Sequence, residues 1–383
     1  MKDQLKTLFN DYFGYECDYI YFSPSRINLI GEHIDYNGGC VFPCAIEIGT
    51  YGAAKKRSDG RFVVYSKNLD VKDEFSIEDI DKKSGLWSDY VKGMLCSFRQ
   101  RQLNITGMDL FVYGNIPNGS GLSSSASLEM LIGLIQNHMA NDNMVEDLEI
   151  VLMGKETENK YIGVNSGVMD QFAIQMGKKD CGSLIDTNKL TYVSKPINLP
   201  GCKLVILNTN KRRELKDSKY NERVKECNDA LELLKFKFNI DNLCQLKVDD
   251  LPEIRKILVD DILYKRAKHV ITENDRVSKF IEACENNDVA NAGKILIASH
   301  MSLKDDYEVT GKELDTIVDC SNNYPACLGS RMTGAGFGGC AIAIVYENEV
   351  DEFIRNVGKC YKSVVGYDAE FIITNVGDGP HLI

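Results

Sequence analysis

The sequence predicts an α+β protein of two domains. Strand-like and helix-like stretches alternate irregularly, without the repeated strand–helix spacing of a doubly wound sheet or a barrel. At about 100–200 residues per domain, a chain of 383 residues also exceeds one ordinary domain. Pro196, Pro200 and Gly201 interrupt the pattern. They set the expected boundary between an N-terminal domain, 1–200, and a C-terminal domain, 201–383.

Residues 1–16 carry Leu5, Leu8, Phe9 and Phe13 on one helical face, which predicts a short amphipathic helix. From Tyr19 to Val64 the text is strand-like with glycine punctuation, and Tyr36-Asn-Gly-Gly39 reads as a turn. Phe62–Tyr65 is a short strand, 87–103 is helical, and Met108–Tyr113 alternates as a strand. A Gly/Ser-rich loop, Gly114–Ser127, leads into helices over 126–140 and 146–161. The loop Gly163–Gly167 then opens a short helix, Val168–Met176. Residues 191–208 are strand-like, and 215–320 are mostly helical and charged. A glycine cluster at 334–339, a strand at Cys340–Tyr346, a helix over 350–362 and a strand over 371–375 complete the chain.

Composition excludes several classes. With 44% hydrophobic and 26% charged residues the chain is not a disordered one. Its 45 basic and 56 acidic side chains give a net charge of −11, the wrong sign for a nucleic-acid partner. An anion must therefore be held by local devices, such as a helix N-terminus, a metal or one placed arginine. Thirteen scattered cysteines contain no C-x-x-C, and the closest pair, Cys40 and Cys44, lacks a zinc spacing. They read as reduced thiols of a cytoplasmic protein. No apolar run approaches the roughly 18 residues of a membrane span, and Lys and Asp interrupt the N-terminus where a signal peptide needs apolar residues.

Three constellations carry chemistry. The loop Gly114–Ser127 feeds an apolar helix, so its glycines and free helix N–H groups form an anion site, unless it is a serine-capped linker. It lacks the Walker pattern. Gly334-Ala-Gly-Phe-Gly-Gly339 formally matches G-x-G-x-x-G. It precedes a strand instead of following one, which argues against a dinucleotide site and for a loop packed on a ligand or on the first loop, with a plain tight turn as the alternative. The third, Ser25-Arg-Ile-Asn-Leu-Ile-Gly-Glu-His-Ile-Asp-Tyr-Asn-Gly-Gly39, gathers Arg26, Glu32, His33, Asp35 and Asn37. Carboxylates and an imidazole on one glycine-flanked turn suit a polyhydroxylated ligand. His138, His269, His300 and His381 form no ligand spacing and receive no role.

Together these residues resemble the galactokinase family, within the superfamily that joins galactokinase, homoserine, mevalonate and phosphomevalonate kinases. Arg26–Gly39 resembles the galactokinase signature, and Gly121-Leu-Ser-Ser-Ser-Ala-Ser127 the superfamily phosphate loop. Gly167-Val-Met-Asp-Gln171 resembles the segment holding the catalytic aspartate, and Arg331–Gly339 the third motif. The resemblance implies a GHMP-kinase fold: an N-terminal domain like the second domain of ribosomal protein S5, with a left-handed crossover, and a ferredoxin-like C-terminal domain. It implies transfer of the γ-phosphoryl of ATP to the 1-hydroxyl of galactose, with Mg²⁺, in a monomer or weak homodimer.

The resemblance also distributes roles. Asp170 would be general base or orienting group for the hydroxyl, with Arg26 beside it. Glu32, His33 and Asp35 would hydrogen-bond sugar hydroxyls, with Gly167 and Tyr220 also at the sugar. Gly119, Ser120, Gly121, Leu122, Ser123, Ser124 and Ser125 would hold the nucleotide phosphates. Ser66, Trp87 and Tyr90 would face the nucleoside. Ser125 and Glu158 would ligate Mg²⁺. Two departures stand out: Ile34 replaces the usual Thr, and Ser25 removes a permissive glycine before Arg26. Two rival readings remain open, a kinase for N-acetylgalactosamine or another galactose-like sugar, and a non-catalytic regulator that senses galactose and ATP.

Overall fold

A computed structural model describes residues 1–117, 119–164, 166–211 and 216–383, with backbone alone at 216–218. Asn118 and Asn165 of the two predicted loops, and Leu215 at the start of the predicted helical region, lie outside the described residues.

The first sheet begins as expected. Helix α1 (Lys2–Phe13) buries Leu5 and Phe9 and ends at Gly14 in the left-handed conformation. Strands β1 (Tyr19–Ile30) and β2 (Cys40–Arg57) form a long antiparallel pair. β3 (Arg61–Ser66) and β4 (Val71–Ser76) form a hairpin, and after α2 (Asp89–Gln100) the chain enters β5 (Gly107–Gly114). β5 lies antiparallel to β2 and parallel to β3. Helices α3 (Ser124–Ala140), α4 (Asp147–Glu156) and α5 (Met169–Gln175) follow, then the hairpin β6 (Cys181–Asp186) and β7 (Thr191–Pro196). The sheet runs β4-β3-β5-β2-β1, with β6 joined to the start of β2. Every β1 residue after Tyr19 is buried, because α3, α5 and a later helix pack against it.

The second sheet starts at β8 (Cys202–Asn208). Helices α6 (Lys216–Leu234), α7 (Leu251–Ile257), α8 (Asp261–Glu285), α9 (Val289–Asp305) and α10 (Lys312–Asn322) lead to β9 (Cys327–Thr333) and β10 (Cys340–Tyr346). Helix α11 (Val350–Val365) and β11 (Glu370–Thr374) close it in the antiparallel order β11-β8-β10-β9. Numbered within this half, that is 4-1-3-2, the ferredoxin-like order. The tail returns to the first sheet, where β12 (His381–Leu382) pairs with β1. Helix α8 packs on both β1 and β2 and so connects the halves.

Three differences from the sequence reading have physical causes. The helix predicted over 146–161 ends at Glu156 and widens into a π-type turn, Thr157–Ile162. Such widenings recur at functional sites, and this one carries Glu158. Strand β9 escapes a periodicity reading because it is buried on both faces, Arg331 included. The expectation of uniformly reduced thiols is corrected at one pair: Cys320 of α10 and Cys360 of α11 are disulfide-bonded. No described helix is long and apolar enough to cross a membrane.

Candidate active site

One cleft of about 220 Å³ brings together Arg26, Glu32, His33, Asp35, Glu158, Gly167, Asp170 and Tyr220, with Ser166, Met169, Gly334 and Ala335 completing its wall. β1 delivers Arg26 to its floor. The turn after β1 needs a glycine: Gly31 has φ +98°, and a Cβ there would lie 2.9 Å from the Cys40 carbonyl oxygen. His33 follows with φ 63°, which presents Glu32, His33 and Asp35 in succession to the cleft.

Asp170 sits in the first turn of α5, where the helix dipole favours a carboxylate. Arg26 grips it with two parallel bonds, Nε to Oδ1 at 2.7 Å and Nη2 to Oδ2 at 2.8 Å. Such a fork fixes orientation as well as charge. The third guanidinium nitrogen donates to the Gly121 carbonyl at 3.1 Å, tying the pair to the Gly/Ser-rich loop. Ser123 Oγ also donates to Asp170 Oδ2. Ser123 is the N-cap of α3, with φ 57°, and its side chain makes no cap bond. The N–H groups of α3's first turn are thus left for an anion. Gly119 and Gly121 have φ +71° and +80°, and among the described residues no atom beyond the chain neighbours lies within 4 Å of a Cβ built at Gly119. The loop therefore leaves room for a close ligand.

Ser125 and Glu158 meet at the cleft edge, Oγ to Oε1 at 3.0 Å, and Ser166 donates to the other Glu158 oxygen. Hydroxyl and carboxylate oxygens form a hard donor set. With phosphate oxygens and water they suit Mg²⁺, which takes few protein ligands. Among the described residues, no three His, Cys, Asp or Glu groups are placed to hold a metal ion by themselves. One turn along α3, Glu129 is fully buried. Burial, reinforced by the Glu158 charge, pushes its carboxyl well above the usual range.

The opposite wall is anchored from the second sheet. Glu32 Oε1 accepts from Arg331 Nη2 (2.6 Å), Gly334 N (2.7 Å) and Thr333 Oγ1 (3.2 Å). Arg331 is completely buried, and it also donates to the Leu29 carbonyl at 3.0 Å. Behind it, Glu273 of α8 accepts from Gly31 N at 3.0 Å and Ser299 at 2.8 Å. Burial opposes charge on Glu273, but Arg276, His269 and Arg331 outweigh it and hold the carboxyl at about 2. Asp35 is different: burial, then the nearby Glu32 charge, push it up to about 6.

His33 is expected to bond the sugar directly. Its ring lines the cleft, but both nitrogens are engaged, Nδ1 with Tyr36 Oη at 2.9 Å and Nε2 with the Ala335 carbonyl at 3.3 Å. Burial, helped by the nearby His269, lowers its pKa to about 3, so the ring is neutral. His269, given no role from the sequence, supports the same turn through Nε2 and the Glu32 carbonyl at 3.1 Å. The sequence reading also gave no individual role to Arg331, Glu273, Tyr36 or Tyr307. The available signal was a lone arginine three positions before the glycine loop that starts at Gly334.

Ser66, Trp87 and Tyr90 do not line this cleft. Ser66 Oγ accepts from Leu69 N in the β3–β4 turn at 3.4 Å, and Trp87 Nε1 donates to the Val71 carbonyl at 3.2 Å. Tyr90 lies close enough to Glu158 for that charge to reinforce burial in raising its pKa. The two departures are accommodated. Ile34 is fully buried and packs against Gly39, away from the cleft. Ser25 lies in β1 beside a register shift, and its hydroxyl donates to the Leu122 carbonyl, adding a tie to the Gly/Ser-rich loop.

Comparison with known proteins accords with this geometry. Family models for the GHMP kinase N-terminal domain and the GHMP kinase C-terminal domain match residues 89–178 and 280–363. A crystal structure of Methanococcus jannaschii mevalonate kinase shares the fold, with a TM-score of 0.66 at 21% identity over 94% of this chain and 98% of that one. Fold and site together define a GHMP kinase. The galactokinase galactose-binding signature matches residues 7–56. A galactokinase of Clostridium perfringens is 50% identical over 380 residues, 98% of each chain. One from Lactiplantibacillus plantarum is 48% identical over 381 residues, again 98% of each. The structure of Lactococcus lactis galactokinase complexed with galactose superposes with a TM-score of 0.92 at 44% identity, covering 99% of each chain. The chain belongs to the galactokinase family.

Proposed function

We propose that this chain transfers the γ-phosphoryl group of ATP to the 1-hydroxyl of α-D-galactose, giving α-D-galactose 1-phosphate and ADP. The observation that carries the reading is the forked Arg26–Asp170 pair standing between an uncapped helix N-terminus and an acidic, sugar-sized wall. Family membership supplies the substrate names.

The phosphates would lie along Gly119–Ser125, on the N–H groups at the start of α3. Ser125 and Glu158 would hold Mg²⁺, which when bound neutralises charge on the phosphate oxygens. Ser66, Trp87 and Tyr90 would lie on the nucleoside side. On the sugar side, Glu32 has one oxygen fixed by three donors, leaving Oε2 to accept a hydroxyl. Asp35, Gly167 and Tyr220 would complete the sugar contacts, with His33 forming wall rather than a ring-nitrogen donor. Asp170 receives the proton of the 1-hydroxyl as the oxygen–phosphorus bond forms. A sugar hydroxyl is far less acidic than a carboxylic acid, so this transfer is late, as a loose phosphoryl transition state allows. Arg26 keeps Asp170 oriented and stabilises charge on the transferring group.

We read the chain as two domains, 1–200 and 201–383, each built on one sheet, acting in the cytoplasm as a monomer or weak homodimer. The test is an ADP-release assay on galactose with and without chelation of Mg²⁺, with Asp170→Asn as control. ADP formed on galactose and lost in both controls supports the reading. Release unaffected by Asp170→Asn overturns the site.

A further inference from the structure

Behind the sugar wall runs a chain of four polar groups that the proposed mechanism does not use. His33 Nδ1 lies 2.9 Å from Tyr36 Oη, which lies 2.7 Å from Tyr307 Oη, which lies 3.1 Å from Cys227 Sγ. Tyr307 and Cys227 are buried, and Tyr220 packs its ring against both His33 and Tyr36. The direction of every proton in this chain follows from its end. The Ala335 carbonyl only accepts, so His33 Nε2 must carry the hydrogen. A neutral ring then has a bare Nδ1, which must accept. Tyr36 therefore donates to His33, Tyr307 donates to Tyr36, and the Cys227 thiol donates to Tyr307.

We infer that Tyr36 and Tyr307 are positioning residues that lock His33 in the Nε2–H tautomer, and through it hold the glycine loop against the sugar cleft. The inference rests on the galactose reading above for its kinetic consequence only. Gly334 and Ala335 form part of the cleft wall, and the loop is tied at two successive residues of the signature. Gly334 N donates to Glu32, and the Ala335 carbonyl accepts from His33. In the other tautomer a nitrogen lone pair faces the Ala335 carbonyl, so the second tie becomes a repulsion. Loss of the Tyr36 hydroxyl leaves Nδ1 without its donor and the Ala335 carbonyl alone to disfavour that tautomer. Cys227, a weak donor at the far end, orders Tyr307 and contributes least.

The test is nitrogen NMR of histidine-labelled protein, combined with kinetics of Tyr36→Phe, Tyr307→Phe and the double variant. The wild-type ring should show a protonated Nε2 and an unprotonated Nδ1, and Tyr36→Phe should mix the tautomers. Galactose KM should rise about tenfold in Tyr36→Phe, the loss of roughly one hydrogen bond, while the ATP KM stays within about twofold. The two tyrosines act in series, so the double variant should be no worse than Tyr36→Phe alone. A wild-type His33 carrying its proton on Nδ1, additive losses in the double variant, or an equal rise in the ATP KM overturns the lock. If Tyr307→Phe does not fold, Cys227→Ala replaces it, with a loss smaller than that of Tyr36→Phe expected and a larger one contradicting the order. The NMR readout needs no turnover, so failure of the galactose reading and failure of the lock are distinguishable.

Discussion

Asp170 receives two bonds from Arg26 and one from Ser123, so its geometry is set before any substrate arrives. Asp170→Asn keeps the shape but loses the proton acceptor and breaks the fork. A fall in kcat of about 10³ is expected, in the range of a lost general base. Arg26→Lys replaces the fork with a point charge and should lower kcat with little change in the ATP KM. Steady-state ADP release reads both. Asp35 gives a pH signature. Burial, then the Glu32 charge, push its carboxyl up to about 6, and the neutral acid is a poorer acceptor for a sugar hydroxyl. Galactose kcat/KM should therefore fall as pH drops through about 6, and Asp35→Asn should abolish that limb at a lower plateau. Stability runs the other way. The folded-state value lies above that of an unfolded aspartate, about 3.9, so the folded chain binds this proton more tightly. The contribution of Asp35 to stability then falls as pH rises through that window. Asp35→Asn should melt at a higher temperature than wild type at neutral pH, measured by calorimetry.

Elements place these residues with different legibility. The signature turn, the phosphate loop and the short helix carrying Asp170 could be read because glycines, serines and a carboxylate stand in a recognisable order. Helix α1 was legible from its apolar stripe, and β10 from an unbroken apolar run. The supporting partners were not, since Arg331, Glu273 and Tyr307 lie on β9, on α8 and after α9, far along the chain from the turn they brace. No local periodicity encodes contacts such as Glu32 with Arg331 across 299 positions. The wide turn after α4 was also hidden, because a helix pattern does not say where one extra residue enters. That turn aims Glu158 at Ser125. Ser125→Ala should raise the Mg²⁺ concentration for half-maximal activity about tenfold, as loss of one ligand or of a group that supports one typically does, with the galactose KM unchanged. An unchanged Mg²⁺ titration would remove Ser125 from the donor set.

At the scale of the molecule, two sheets hold one cleft: β1 delivers Arg26 to it, and β9 braces its Glu32 wall from behind through the buried Arg331. The ferredoxin-like order of the second sheet followed from family resemblance and is present. The return of the tail to β1 was not foreseen, since a two-residue strand leaves no pattern. Nor was the disulfide, because Cys320 and Cys360 are 40 positions apart in a chain whose composition suggests reduced thiols. A closed loop of that length restricts the unfolded chain by about 4 kcal/mol in the chain-entropy model. Thiol reduction should lower the melting temperature of wild type and leave Cys320→Ser/Cys360→Ser unaffected.

The most direct measurement is ADP release on a panel of galactose, N-acetylgalactosamine, glucose, mevalonate and homoserine, with Mg²⁺ and ATP. The expected result is galactose as best substrate, with turnover lost on chelation and in Asp170→Asn. Tight galactose binding without ADP release, or clear preference for another compound of the panel, would contradict it.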